Sequence, residues 1–98
     1  MSIARLEDAE RESALAALPG WTQRDDGLAI TREFRFANFR AAFAFMTHVA
    51  LLAEKADHHP EWTNVYDHVD VRLNSHDAGG VTERDFELAR VLDNFNDL

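Results

Sequence analysis

The stretch DHHPEWTNVYDHVDVRLN, residues 57–74, switches from helical to strand periodicity and decides the fold of this chain. Pro60 cannot continue a helix and biases His59 towards an extended backbone. The segment Trp62–Tyr66 then predicts a strand, with a turn near Asp67-His68. A return strand follows in which apolar and polar residues alternate: Val69, Asp70, Val71, Arg72, Leu73 and Asn74. This pattern predicts an antiparallel β-hairpin with one buried face.

An apolar segment before this hairpin predicts a long helix from about Phe39 to Ala56, with Asn38 as its N-cap. Its apolar residues recur every three or four positions: Phe39, Phe43, Met46, Ala50 and Ala53, with Ala42, Phe45 and Val49 beside them. This spacing is typical of a helix that turns one face to the core.

Two further elements precede this helix. Ser2–Leu18 is rich in Ala, Glu, Arg and Leu and predicts a first helix that ends before Pro19-Gly20. Asp25-Asp26-Gly27 predicts a primed turn after a strand at Trp21–Arg24, because glycine accepts the positive φ of such a turn. The return strand should place alternate apolar residues on one face: Leu28, Ile30, Phe34 and Phe36.

The C-terminal part begins with a loop, Ser75–Gly80, and continues into a last helix. Thr82-Glu83-Arg84-Asp85 is similar to a capping box with Asp in place of Glu, and Val81 and Phe86 can form its hydrophobic staple. The helix itself carries one apolar stripe: Leu88, Leu92 and Phe95.

The predicted order is therefore α-β-β-α-β-β-α. Two hairpins and a long apolar helix favour the α+β class, with a single two-layer domain over residues 1–98. We expect a four-stranded antiparallel sheet with the three helices on one face.

Composition excludes several classes of function. The formal net charge is -8, which disfavours direct binding of nucleic acid or an anionic membrane. The chain has no cysteine, so disulfides and thiolate chemistry are excluded. The start of the chain lacks a signal-peptide pattern, and its most apolar run, residues 41–53, is too short to span a bilayer. We expect a cytoplasmic protein.

Three histidines lie in predicted connections: His58 and His59 before the second hairpin and His76 after it. If the hairpin folds in register, its open end brings them together. They could be surface-loop residues, zinc ligands beside a water, or a metal-free acid–base site against the aromatic residues Trp62 and Tyr66. The other two histidines, His48 and His68, are expected to be structural or solvated.

The spacing of five elements resembles the signature of the pterin-4a-carbinolamine dehydratases. These elements are Glu54, His58-His59-Pro60, Tyr66, His76 and Asp85. The segments EKADHHPEWTNVY and GGVTERD are also similar to that family, and the likeness covers nearly the whole chain.

The resemblance implies a hydro-lyase that removes water from 4a-hydroxytetrahydropterin, gives quinonoid dihydropterin and supports tetrahydrobiopterin recycling. It implies catalysis by His58, His59 and His76 without metal or cofactor. In this interpretation His59 binds and polarises the substrate, while His58 and His76 act as acids on either face of the ring.

The resemblance also implies substrate contacts and supporting groups. Besides the three histidines, the predicted substrate-binding residues are Asp57, Trp62, Ser75 and Asp77. Glu54 and Asp85 are expected to hold imidazole tautomers or the loop, although Asp85 could instead serve only as a helix cap.

Two alternatives to this function stay open. The chain could be a protein-interaction module, since some relatives act as dimerisation cofactors, or it could act on another pterin. Because the sheet has unpaired edges and the chain is short, we expect a homodimer or homotetramer.

Overall fold

The computed structural model describes residues 4–96, which form a four-stranded antiparallel sheet and three helices. The elements are α1 (Asp8–Ala16), β1 (Thr22–Arg24), β2 (Ala29–Arg35), α2 (Phe39–Ala56), β3 (Glu61–Val65), β4 (His68–Leu73) and α3 (Glu83–Asn96). Short 3-10 turns, Asp25–Gly27 and His76–Ala78, follow β1 and β4. The predicted order α-β-β-α-β-β-α and the α+β class are confirmed. Within the sheet the strand order is β1-β2-β4-β3, so β2 and β4 are central.

The two faces of the sheet differ sharply in polarity. One face is buried against the helices and carries the cross-strand pairs Ile30–Leu73 and Phe34–Val69. The other face carries the polar pairs Thr31–Arg72 and Glu33–Asp70. On the buried side, the ring centroids of Phe34 and Phe45 of α2 lie 4.9 Å apart. The core therefore lies between the sheet and a single layer of helices.

Helix α2 begins and ends as predicted, but only part of its predicted stripe is buried. The Asn38 side chain caps it by accepting a hydrogen bond from the Ala41 N–H at 2.9 Å. The residues that face the core are Ala42, Phe45, Val49 and Ala53. Phe39 and Phe43 are exposed, so their predicted place in the core is wrong. One helix layer covers only one side of α2, and these two rings lie on its uncovered flank.

Helix α1 is shorter than the predicted Ser2–Leu18. Within the described residues it begins only at Asp8, because residues 4–7 are held in another conformation. The Leu6 N–H donates to the Val81 carbonyl at 2.9 Å, and the Glu7 N–H donates to the Glu10 carboxylate at 3.1 Å. Residues 4–7 are therefore tied to the loop before α3 instead of extending the helix.

The first hairpin is confirmed, but its turn is not the predicted two-residue primed turn. Arg24 pairs with Ala29, which leaves a four-residue loop, and Asp25–Gly27 all have positive φ. The Gly27 carbonyl accepts a hydrogen bond from the Val81 N–H at 3.0 Å, so a tertiary contact shapes the loop. Leu28 is 44% exposed, and its predicted place on the buried face is wrong.

The second hairpin turns one residue earlier than predicted, at Tyr66-Asp67, because Val65 pairs with His68. Tyr66 adopts a positive φ of 52° there. Among the described residues, no helix has the length and apolar character needed to cross a bilayer.

Candidate active site

The C-terminal end of α2 directs His58 and His59 towards β3. Asp57 adopts the left-handed conformation, φ 53°, which Asp tolerates better than most residues. Its N–H donates to the Glu54 carbonyl at 3.1 Å, and the His58 N–H donates to the Ala53 carbonyl at 3.0 Å. These two bonds satisfy two carbonyls of the last turn of the helix and reverse the chain. Both histidines therefore leave the helix at a fixed angle.

The loop after β4 is closed on itself and presents His76. The N–H and carbonyl of Ser75 both pair with Gly80, at 3.3 Å, and the same carbonyl accepts from the Ala78 N–H at 3.0 Å. His76 and Asp77 lie on the 3-10 turn and are exposed. Because the backbone of Ser75 is engaged within the loop, Ser75 helps to shape the loop.

The carboxylate of Asp85 joins the two histidine-bearing segments. Its Oδ1 lies 2.6 Å from the His58 Nε2, and its Oδ2 accepts from the Ser75 Oγ at 2.8 Å. The Oδ2 atom also accepts from the Thr82 N–H at 2.9 Å, which is the capping bond predicted from the sequence. Asp85 is completely buried. One carboxylate therefore holds the end of α2, the loop after β4 and the start of α3.

The hydrogen-bond directions in this network determine the tautomer of His58. An ionised carboxylate only accepts hydrogen bonds, so the Nε2 of His58 carries a hydrogen. The Thr82 Oγ1 lies 2.8 Å from the Ser75 Oγ and can donate to it, while Ser75 donates to Asp85. Within residues 4–96, every buried side-chain nitrogen and oxygen has a hydrogen-bond partner. His58 is therefore left with Nδ1 as the nitrogen available for proton transfer.

The other two histidines have the same arrangement at more exposed positions. The Nε2 of His59 lies 2.8 Å from Glu54, and the Nε2 of His76 lies 3.1 Å from Glu61. Both pairs are largely exposed, so each contributes little to stability. Among the described residues, the Nε2 atom of each of the three imidazoles thus contacts a carboxylate, whereas the Nδ1 atom of each has no carboxylate partner. Carboxylates so placed can fix ring orientation and stabilise an imidazolium.

A cleft of about 300 Å³ lies beside His58, between α2 and α3. It is mostly apolar and is lined by Leu52, Ala56, His58, Arg84, Glu87, Leu88 and Val91. His59 and His76 do not line this cleft. Trp62 is half-buried and packs against the core, whereas Tyr66 is at the far turn of the hairpin and 62% exposed. Tyr66 is therefore separated from the histidines by the length of β3.

Sequence reasoning did not identify two residues that support these groups. Glu61 contacts His76 and accepts from the Asn74 side chain at 3.1 Å. Its cross-strand pairing with Arg72 would have placed it near the loop after β4. Thr82 is completely buried, and its hydroxyl bonds Ser75. The capping pattern located Thr82 but gave no indication of that contact.

One set of side chains in the described residues has the spacing of metal ligands, and it lies away from the three predicted histidines. It comprises Glu33, His68 and Asp70 on the polar face of the sheet.

Comparison with known proteins gives a consistent result. The model of the family described as pterin 4 alpha carbinolamine dehydratase matches residues 4–95. A Novosphingobium aromaticivorans protein, provisionally named as a pterin-4-alpha-carbinolamine dehydratase, is 58% identical over 95 residues, covering 97% of this chain and 99% of its own length. A Rhizobium johnstonii protein with the same provisional name is 55% identical over 93 residues, covering 95% of this chain and 92% of its own.

Solved structures extend the comparison. A crystal structure from Brucella melitensis, described as a transcriptional coactivator/pterin dehydratase, has a TM-score of 0.91 and 50% identity and covers 94% of this chain and 98% of its own. A pterin dehydratase-like protein identified as a RuBisCO assembly factor has a TM-score of 0.68, covers 79% of this chain and 89% of its own and, at 20% identity, shares the fold alone. The match over residues 4–95, together with the high identity of these relatives, shows that the chain belongs to the pterin-4a-carbinolamine dehydratase family.

Proposed function

We propose that this chain is a hydro-lyase that removes water from 4a-hydroxytetrahydropterin and releases quinonoid dihydropterin. In this reaction the C4a–O bond breaks, the N5 proton is lost, and a C4a=N5 double bond forms. The departing hydroxyl takes up one proton and leaves as water. The reaction therefore needs an acid near C4a and a base near N5, and imidazoles supply both near neutral pH.

The observation that carries this proposal is the network around Asp85. It ties His58 to Ser75, and hence to the loop that bears His76, through bonds of 2.6 and 2.8 Å. The chain thus builds a buried support under residues that the hairpin alone would leave on a surface loop. Such support is typical of groups that must keep one orientation during proton transfer.

We assign His58 and His76 as the acids that protonate the departing hydroxyl on either face of the ring. The imidazole that has given up its proton is then neutral and serves as the base that takes the N5 proton, so its protonation state is restored. His59 binds and polarises the substrate. An imidazole whose Nε2 donates to a carboxylate can give or take a proton only through Nδ1, so we place the proton transfers at that atom. A positioned acid or base of this kind contributes roughly 10²–10⁴-fold to the rate.

The remaining predicted contacts complete the substrate site in this proposal. We place the backbone at Asp57 and Asp77 against the edge of the pterin ring; both residues lie beside the histidines in sequence and are exposed. Trp62 supplies an aromatic wall. The pterin side chain would project outwards, so this site accepts more than one pterin.

The direct test is a stopped-flow assay of dehydration with 4a-hydroxytetrahydropterin generated in the mixture. The purified chain should accelerate the reaction, and alanine variants of His58, His59 and His76 should each lose most of that acceleration. His48→Ala is the matched control, because His48 is an exposed histidine that stacks on Phe95. Full activity in His76→Ala would overturn the assignment of the three histidines to one site.

We also infer that the active form is a cytoplasmic homodimer or homotetramer. Supporting this are the exposed rings of Phe39 and Phe43, which lie 5.7 Å apart on the uncovered flank of α2. Val65 is 65% exposed on the edge strand β3 and adds a second apolar position. Contact between copies would remove these surfaces from water.

A further inference from the structure

The polar face of the sheet brings three metal-binding side chains together through strand register alone. Glu33 of β2 is directly opposite Asp70 of β4. His68 precedes Asp70 by two positions on β4, so both side chains point to the same face. Both strands are central in the sheet, which gives the three side chains a rigid base.

From this arrangement we propose that Glu33, His68 and Asp70 form a binding site for a divalent transition-metal ion such as zinc. The His68 Nε2 lies 3.2 Å from a Glu33 oxygen and 3.2 Å from an Asp70 oxygen. A tetrahedral zinc ion with ligand bonds of about 2.0–2.2 Å separates its ligand atoms by about 3.3–3.5 Å. The two measured separations are therefore only slightly shorter than those around a bound zinc ion.

The third separation also suits a metal ion. All three ligand atoms lie within 4.8 Å of one another. A small rotation of one carboxylate would bring the Glu33 and Asp70 oxygens to the separation that a zinc ion needs. One imidazole and two carboxylates form an N/O ligand set that suits zinc or other first-row ions better than calcium or magnesium. Three protein ligands leave a fourth position for water or another ligand, as in open zinc sites.

A neighbouring cation, Arg35, would compete with a metal ion for the carboxylate of Glu33. The Arg35 side chain lies 2.8 Å from Glu33, and its cation currently balances one of the two carboxylates. A divalent ion would compete with that guanidinium for Glu33. The facing positions on β3, Thr63 and Val65, carry no charge. Removing the positive charge at position 35 should therefore strengthen metal binding.

This site is distinct from the proposed catalytic site. Asp70 lies near the start of β4, whereas Ser75 and His76 follow its end. At about 3.3 Å per extended residue, the five positions from Asp70 to Ser75 correspond to roughly 16 Å. Metal binding and dehydration can therefore be measured independently of each other.

The test is isothermal titration calorimetry of the chelator-treated chain with zinc chloride. The wild-type chain should bind one zinc ion, and His68→Ala and Glu33→Gln should each weaken binding by at least about tenfold, since even outer partners of metal ligands contribute 10- to 100-fold. Glu33→Gln keeps the shape of the side chain, and circular dichroism checks that each variant folds. Arg35→Gln should bind zinc more tightly.

The double variant His59→Ala/His76→Ala separates this site from zinc binding at the loop histidines. It should bind zinc as the wild type does. Any of three results would overturn the proposal. These are loss of zinc binding in the double variant, equal zinc affinity in the wild type and His68→Ala, and no binding by the wild type at a large molar excess of zinc. None of these results bears on the dehydration assay.

Discussion

Replacing Asp85 by asparagine separates the two tasks of its carboxylate. Asparagine has nearly the same shape but only one accepting oxygen. The Thr82 N–H, now 2.9 Å from Oδ2, can only donate, so the asparagine oxygen should stay on that side. The amide NH₂ then faces the Nε2 of His58, which must accept a hydrogen bond, and the ring hydrogen moves to Nδ1.

This change should cost far more activity than stability. Asparagine replaces the charge-assisted His58–Asp85 bond with a neutral one, which should lower the free energy of unfolding by about 1–1.5 kcal/mol. For a domain of this size, that corresponds to a fall in Tm of roughly 4–12 °C. With the proton on the wrong nitrogen and no carboxylate to stabilise an imidazolium, the dehydration rate should fall roughly 10²–10⁴-fold.

Asp93→Asn is the matched control on the same helix. Its carboxylate oxygen accepts from the Trp21 Nε1 at 2.9 Å and from the Arg32 guanidinium at 2.7 Å, and neither partner touches the histidines. It should lower Tm and leave the rate per folded molecule unchanged. Nitrogen-15 spectra of histidine-labelled protein should show the tautomer change at His58 in Asp85→Asn only. A wild-type rate in Asp85→Asn, or equal rate losses in the two variants, would refute the reasoning.

Three further predictions concern neighbouring features. Glu61→Gln should reduce the dehydration rate less than His76→Ala does, because the imidazole stays and only its exposed carboxylate partner is lost. A larger loss of rate in Glu61→Gln than in His76→Ala would give Glu61 a direct role. Phe43→Asp should yield monomers by light scattering, because it places a charge in the exposed aromatic flank of α2; a wild-type chain that is already monomeric at micromolar concentration would contradict this. Dialysis against a strong chelator should leave the dehydration rate unchanged, and a rate restored only by zinc would contradict metal-free catalysis.

The parts of the fold that sequence predicted are those that local chemistry decides. Pro60 ends a helical pattern, Asn38 caps α2, and alternation along Val69–Leu73 defines the buried face of β4. Each signal acts through its own backbone or its immediate neighbours. Elements governed in this way need no knowledge of the rest of the chain.

The errors occurred where distant parts of the chain decide the outcome. Leu6 and the Asp25–Gly27 loop both bond Val81, some fifty or more residues away, and those contacts set the start of α1 and the shape of the first turn. The apolar spacing of α2 could not show which flank the sheet would cover, so Phe39 and Phe43 were assigned to the core. In each case the local pattern permitted two arrangements and tertiary packing chose between them.

The same division explains how much of the candidate site was predictable. Residue spacing grouped the three histidines and placed Asp85 near a capping box. From the sequence, helix capping and imidazole positioning were alternative roles for Asp85. The structure shows both contacts at once, with Oδ2 capping the helix at the Thr82 N–H and Oδ1 at the His58 imidazole. Glu61 and Thr82 were missed because their contacts cross a hairpin and a loop.

The double use of Asp85 links the order of α3 to the chemistry proposed for His58. The first turn of α3 needs the Oδ2 atom at the Thr82 N–H, and that bond also aims Oδ1 at the imidazole. If the start of α3 frays, the carboxylate loses its fixed direction, and His58 loses its tautomer at the same moment. Hydrogen exchange at the Thr82 and Asp85 amides should therefore quicken in any variant that releases His58, even where the substitution lies outside α3.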